Sequence, residues 1–216
     1  KTNTNPVIKN MSFQLMKGET VALVGESGSG KSTIAKAISG LIPSNEGTIH
    51  YYDKLLENSI IKRSKRVRKN IQYVFQNPDA SLNPRTIIKS ILSRPLSFFY
   101  NLNKIQIKEK LSSTLKSIHL GHNYLNRLPT QLSGGERQRI AIARALISEP
   151  DLLLCDEVLS ALDVSVQANI IDLLEKIQRD SNSSMLFISH DLAVVKNLAD
   201  RVIVIYHGQI MEAGSV

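Results

Sequence analysis

The stretch Thr20-Val21-Ala22-Leu23-Val24-Gly25-Glu26-Ser27-Gly28-Ser29-Gly30-Lys31-Ser32 decides the fold. Thr20 to Val24 is a short apolar run rich in β-branched residues and stopped by glycine, which predicts a buried strand. Gly25 to Ser32 then follows the phosphate-binding loop pattern, with both glycines, the lysine and the serine in place. Glycines let a backbone curl until its N–H groups point inward at phosphate oxygens. A helix opening at Lys31 adds partial positive charge at its N-terminus. Lys31 can reach the outer phosphates, and the Ser32 hydroxyl can face Mg²⁺. That helix is expected to run to about Leu41, with Pro43 and Gly47 marking the turn beyond it.

Working outward, Thr48 to Tyr52 and Ile71 to Phe75 read as strands, and the strand pattern returns at Leu152–Cys155, Met185–Ile188 and Val202–Tyr206. Helical runs at about Val166–Gln178 and Asp191–Leu198 separate the later strands. Alternation of this kind predicts an α/β fold with a parallel sheet and crossover helices. Between Asn77 and Thr130 strand signals fade. Ile107, Leu111, Leu115 and Ile118 recur at helical spacing, so the middle of the chain reads as a helical lobe inserted into the α/β core.

Two further motifs carry chemistry. In Leu152-Leu153-Leu154-Cys155-Asp156-Glu157, Asp156 lies at the carboxyl end of an apolar strand, where open α/β sheets bind ligands. A carboxylate there can hold Mg²⁺ through its water shell. Glu157 can orient or deprotonate an attacking water. Cys155, inside the apolar run, reads as core. In Leu132-Ser133-Gly134-Gly135-Glu136, Ser133 can cap a helix running to about Ile147. Adjacent glycines weaken a helix start, and close approach to an anion is one reason to keep them.

With 216 residues the chain is large enough for one domain with its own core. No run approaches ~18 consecutive apolar residues, so no transmembrane helix is expected. A single cysteine excludes a disulfide framework and multi-cysteine metal sites. There are 27 Lys and Arg against 19 Asp and Glu, a net charge of +8. Six of the cations cluster at Lys62, Arg63, Lys65, Arg66, Arg68 and Lys69. A solvated face is the plainer reading of this run, and contact with a membrane or membrane partner is the next. Without tryptophan, and without an aromatic inside the cluster, a base-stacking groove is disfavoured, so no nucleic acid is expected.

Taken together and in this order, the motifs resemble the nucleotide-binding domain of ATP-binding cassette (ABC) transporters over nearly the whole chain. Leu132 to Glu136 is similar to the family's signature motif. The resemblance implies a P-loop NTPase core with an N-terminal antiparallel β subdomain. Core boundaries fall at about 1–76 and 150–216, with the helical lobe at about 77–149. It implies ATP and Mg²⁺ as cofactors. ATP would be held by Gly25, Glu26, Ser27, Gly28, Ser29, Gly30, Lys31, Ser32 and Thr33, with Ser133, Gly134, Gly135 and Asp163 acting across a dimer interface. It implies Ser32, Gln76 and Asp156 toward the metal, and Glu157, His190, Lys31 and Gln76 in catalysis. Ser160-Ala161-Leu162-Asp163 is similar to the loop that crosses that interface. His50, His119, His122 and His207 gain no role.

The runs Phe75 to Pro84 and Ser160 to Gln167 further resemble the oligopeptide, dipeptide and nickel importer ATPases, without separating peptide from nickel. The implied partners are a second ABC ATPase, identical or not, transmembrane permease subunits docking around Asp79 to Arg94, and an extracytoplasmic binding protein. The implied location is peripheral, on the cytoplasmic face of the membrane. A soluble ABC ATPase acting on nucleic acid or ribosomes is the competing class.

Three departures stand out. Val158-Leu159 replaces the Pro-Thr usual after the catalytic glutamate, and hydrolysis is expected to persist. The family's adenine-stacking aromatic would border or precede Lys1. The chain stops at Val216, before the extension common in the peptide importers, so a truncated chain or one half of a fused double ATPase is the expectation for both ends.

Overall fold

A computed structural model describes residues 6–160 and 162–216. Ala161 of the expected interface loop and residues 1–5 of the expected core lie outside the described residues. The strands are β1 (Thr20–Val24), β2 (His50–Tyr51), β3 (Lys54–Leu55), β4 (Ile71–Val74), β5 (Leu152–Asp156), β6 (Ser184–Ile188), β7 (Arg201–Tyr206) and β8 (Gln209–Ser215). The helices are α1 (Lys31–Ser39), α2 (Lys65–Asn70), α3 (Ile88–Phe99), α4 (Lys104–Ser117), α5 (Gly134–Leu146), α6 (Val164–Ser181) and α7 (Leu192–Leu198).

Six strands form one sheet in the order β4-β5-β6-β1-β7-β8. The first five run parallel, and β8 closes the edge antiparallel to β7. β1 sits inside this sheet, and every one of its residues is buried. Its run of unbroken apolar character follows from that position, because a parallel strand covered on both faces has no solvent side. The expected antiparallel β subdomain is present as the hairpin β2–β3, paired through His50–Leu55 and Tyr51–Lys54.

The sheet divides two apolar layers. On one face α1 packs Ile34 and Ala35 against Val21, Leu23, Leu154, Leu186, Ile188 and Ile203. On the other face, Leu153, Cys155, Met185 and Phe187 join α6 and the lobe helices α3, α4 and α5 in one continuous cluster. The lobe therefore shares its core with the sheet.

Caps fix the lobe helices in place. Asn103 and Gln106 form a reciprocal capping box at the start of α4, and Ser133 and Glu136 do so at the start of α5. The basic run behaves in two ways. Lys62, Lys65 and Arg66 are exposed. Arg63 is buried, against the reading of the whole run as a solvated face. Its guanidinium donates to the carbonyl of Ile38 (2.5 Å), at the C-terminal end of α1, and to that of Glu57 (2.7 Å), in the loop after β3, so it ties the helix end to that loop. Aromatics absent from the run reach it through the fold: Lys65 and Arg68 lie over the Phe98 ring, and Lys69 over Tyr100.

Candidate nucleotide site

Four neighbouring strands, β4, β5, β6 and β1, end on the same side of the sheet, and each is followed by residues singled out by the sequence. Gln76 follows β4, Asp156 ends β5 with Glu157 next, His190 follows β6, and the glycine-rich loop follows β1. Ligands of open parallel sheets bind at such carboxyl edges.

The loop has the backbone its glycines permit. Gly25 has φ 149°, and a Cβ there would meet the Ile205 carbonyl oxygen at 2.0 Å, so no other residue fits. Lys31 is 4% exposed. Its ammonium donates to the carbonyls of Gly25 (2.7 Å) and Glu26 (2.8 Å), which holds its charge over the loop. Glu26, Ser27 and Gly28 are exposed, Ser29 and Gly30 are buried, and Ser32 and Thr33 are half-buried on the first turn of α1.

Ser32 Oγ donates to Asp156 Oδ1 at 2.6 Å. The other carboxylate oxygen, Oδ2, accepts the Tyr73 hydroxyl at 2.5 Å. Burial, and then the Asp156 carboxylate, push the Tyr73 hydroxyl pKa well above its ordinary value, so this phenol stays protonated and donates. Cys155 is fully buried, and burial, with Asp156 adding to it, raises its thiol far above the reactive range.

Glu157 adopts φ 46°, an uncommon conformation for a non-glycine residue. Its N–H donates to the Ile188 carbonyl (3.1 Å), and its own carbonyl accepts the Ser160 hydroxyl (3.0 Å). The Gln76 amide donates to Glu157 Oε2 (2.9 Å) and to Ser160 Oγ (3.2 Å). Val158 and Leu159, in place of Pro-Thr, are buried in the apolar layer on the lobe side. His190 is exposed at the mouth of β6.

Ser133, Gly134 and Gly135 open α5 in the lobe. Among the described residues, no hydrogen bond joins them to the phosphate loop. Ser133 Oγ accepts the Glu136 N–H (3.3 Å), Glu136 Oε2 accepts the Ser133 N–H (2.8 Å), and Tyr124 donates to Glu136 Oε1 (2.5 Å). The Tyr124 hydrogen bond, chiefly, holds the Glu136 carboxyl below its ordinary pKa. The two glycines differ. A Cβ on Gly134 would meet nothing, whereas one on Gly135 would lie 2.4 Å from Val166 Cγ1 on α6. Packing alone therefore requires glycine at 135, and the anion argument is needed only for 134. Asp163 caps α6 by accepting the Val166 N–H (3.0 Å), beside the same contact.

The sequence does not mark Tyr73 or Tyr124 as site residues, and it places Ser160 in the interface loop without its contacts to Gln76 and Glu157. Tyr73 looks like an ordinary strand aromatic, and only the β4–β5 register brings it to Asp156.

A glycine loop between a parallel strand and a helix, with a serine–aspartate pair beside it, places the chain in the P-loop class of α/β proteins. A family model described as ABC transporter matches residues 8–160, and the chain belongs to that family. Oligopeptide transport ATP-binding protein OppF of Haemophilus influenzae is 48% identical over 216 residues, covering 100% of this chain and 65% of that protein. Oligopeptide transport ATP-binding protein AppF of Bacillus subtilis is 46% identical over 206 residues, covering 95% of this chain and 63% of that protein. The chain thus spans just under two thirds of these relatives. Among solved structures, a dimeric post-hydrolysis state of the ATP-binding cassette MJ0796 bound to ADP and Pi superposes with a TM-score of 0.85 at 29% identity, covering 97% of this chain and 90% of that one. CbiO1 of Clostridium perfringens, part of the transporter complex cbiONQ, gives 0.84 at 26% identity, covering 97% of this chain and 82% of that one.

Proposed function

We propose that this chain is the ATP-binding and ATP-hydrolysing part of a peptide importer. The observation that carries the reading is the convergence of the phosphate loop, the Ser32–Asp156 pair and the Gln76–Glu157 pair on one sheet edge. Of the peptide and nickel branches, the peptide branch is favoured by the names of the relatives.

The loop from Gly25 to Thr33 binds the phosphates through backbone N–H groups and the α1 N-terminus, and the Lys31 ammonium exchanges carbonyl partners for phosphate oxygens. Ser32, Gln76 and Asp156 are hard oxygen donors without a full carboxylate cage, which suits Mg²⁺ held jointly with substrate phosphates. When bound, Mg²⁺ would offset charge developing on those phosphates. Glu157 accepts a proton from water as it attacks the γ-phosphorus, the bond from that phosphorus to the β–γ bridging oxygen breaks so that ADP leaves and phosphate forms, and His190 hydrogen-bonds the γ-phosphate oxygens. Water has to enter beside Gln76, whose amide holds Glu157 in place.

Ser133, Gly134, Gly135 and Asp163 complete the site of a facing cassette, a reading supported by the lack, among the described residues, of any hydrogen bond from Ser133, Gly134 or Gly135 to the phosphate loop of their own chain. A dimeric MJ0796 cassette of the same fold supports this arrangement. Permease subunits dock near Asp79 to Arg94, a binding protein delivers cargo outside the cell, and the chain sits peripherally on the cytoplasmic face of the membrane. No helix among the described residues is long and apolar enough to cross a membrane. No role with nucleic acid is proposed.

The test is Glu157→Gln. Removal of the general base lowers the Mg²⁺-ATPase rate by roughly 10²-fold or more while ATP binding persists. Light scattering with ATP then reports whether the variant dimerises with itself or needs a second ATPase. Hydrolysis at the wild-type rate in Glu157→Gln would refute the assignment.

A further inference from the structure

Asp156 is 5% exposed, and each of its carboxylate oxygens accepts one hydroxyl. Ser32, from the phosphate loop, takes Oδ1. Tyr73, from the neighbouring strand β4, takes Oδ2. The second contact follows from sheet register. Tyr73 pairs with Leu154, and strand periodicity puts Leu154 and Asp156 on the same face. A diagonal neighbour two residues on lies within reach of an aromatic side chain. The Tyr73 hydroxyl therefore ends at the Asp156 carboxylate, while its ring packs on Phe75 with centroids 4.6 Å apart.

A carboxylate has a broad, two-fold preference about its terminal torsion, so one hydrogen bond leaves its plane poorly defined. Two hydroxyls approaching different oxygens define it. Because a carboxylate only accepts, both hydroxyls must donate. The segment just after β4 meets the residue just after β5 through Gln76 and Glu157. β4 and the segment that leaves it thus brace both carboxylates.

We propose that Tyr73 is a positioning residue for the cation site: its hydroxyl locks the Asp156 carboxylate so that Oδ1 faces Ser32 and the phosphate loop. The proposal rests on the reading of Asp156 as a carboxylate that holds Mg²⁺ with ATP. Tyr73 touches neither substrate nor metal. Its effect is on how strongly the metal is held.

The experiment is Tyr73→Phe in the full chain, with Tyr73→Leu beside it. Mn²⁺ is the probe, titrated by electron paramagnetic resonance with and without ATP. ATP binding without metal is measured in parallel. Tyr73→Phe keeps the ring, the fold and metal-free ATP binding. Its ATP-dependent Mn²⁺ affinity falls by roughly tenfold, the usual scale for removing a partner of a metal ligand. Its Mg²⁺ concentration for half-maximal hydrolysis rises in parallel, and most of the rate returns when Mg²⁺ is raised. Unchanged Mn²⁺ affinity in Tyr73→Phe, with a loss only in Tyr73→Leu, would overturn the proposal and leave Tyr73 as packing. A wild-type chain with no ATP-dependent Mn²⁺ site would overturn the reading of Asp156 itself, and the proposal with it.

Discussion

Replacing Gly135 with alanine separates two explanations for the glycine pair at the start of α5. At an ordinary helix position the change stabilises by up to about 1 kcal/mol, through helix propensity. Here the new Cβ would lie 2.4 Å from Val166 Cγ1 and 3.3 Å from Cγ2. Val166 is β-branched and stiff about χ1, so it cannot swing aside cheaply. Overpacking of this kind costs about 1–3 kcal/mol, which exceeds the propensity gain. The net loss is up to about 2 kcal/mol, or a fall of up to roughly 8 °C in Tm for a domain of this size. Gly134→Ala is the internal control: its Cβ meets nothing, so stability holds or rises. Thermal and urea unfolding of both variants read the difference. Adding Val166→Ala to Gly135→Ala removes the obstructing methyls, and a double-mutant cycle then shows a coupling of about 1 kcal/mol. Equal stability of Gly135→Ala and Gly134→Ala, or a cycle without coupling, would refute the packing argument.

Arg63→Met strands the carbonyls of Ile38 at the end of α1 and of Glu57, and lowers stability by about 1–3 kcal/mol, measured by urea unfolding. Ser133→Ala removes the α5 N-cap oxygen and costs about 1 kcal/mol by the same assay. Tyr124→Phe acts through pH. The folded Glu136 carboxyl is depressed, chiefly by Tyr124, so its contribution is present above the unfolded carboxyl pKa and lost as pH falls through the lower folded value. Without the Tyr124 hydroxyl that acid-side loss shrinks, and unfolding curves between neutral pH and the acid range show a flatter dependence.

The motif strands were legible because each joins an apolar run to a distinct stop. Thr20–Val24 ends at Gly25, and Leu152–Asp156 ends at a carboxylate pair. The edge strand β8 was not, because nearly all of Gln209–Ser215 is exposed and only pairing with β7 makes it a strand. α3 carries Pro95 in its interior, which reads as a breaker, yet the helix continues to Phe99 because its apolar face is buried in the lobe. In the site, residue identities could be read and pairings could not. Nothing near Tyr73 in sequence marks a hydroxyl bound for Asp156, and nothing near Gly135 marks Val166. Both contacts arise from strand register or helix packing across long stretches of chain.

The two apolar layers also differ in which site strands they hold. The layer on the lobe side includes Val74 of β4, Leu153 and Cys155 of β5, and Met185 and Phe187 of β6, but no residue of β1. β1 packs instead on α1 through Val21 and Leu23, and on Val195 of α7 through Ala22 and Val24. The lobe is tied to the segment after Gln76 as well, through the Arg137–Asp79 ion pair (2.9 Å) and the Arg144 hydrogen bond to the Ser81 carbonyl. Interiors this densely packed transmit displacement instead of absorbing it. A shift of the lobe therefore loads β4, β5 and β6, whose ends carry Gln76, the two carboxylates and His190. β1 contributes no buried residue to that layer, but it is paired in parallel with β6 through Thr20–Met185 to Leu23–Ile188, so the phosphate loop is coupled to the lobe through the sheet. Asp156 lies where these parts meet: Ser32 of α1 holds Oδ1, and Tyr73 of β4, which packs in the α1-side layer while its neighbour Val74 packs in the lobe-side layer, holds Oδ2.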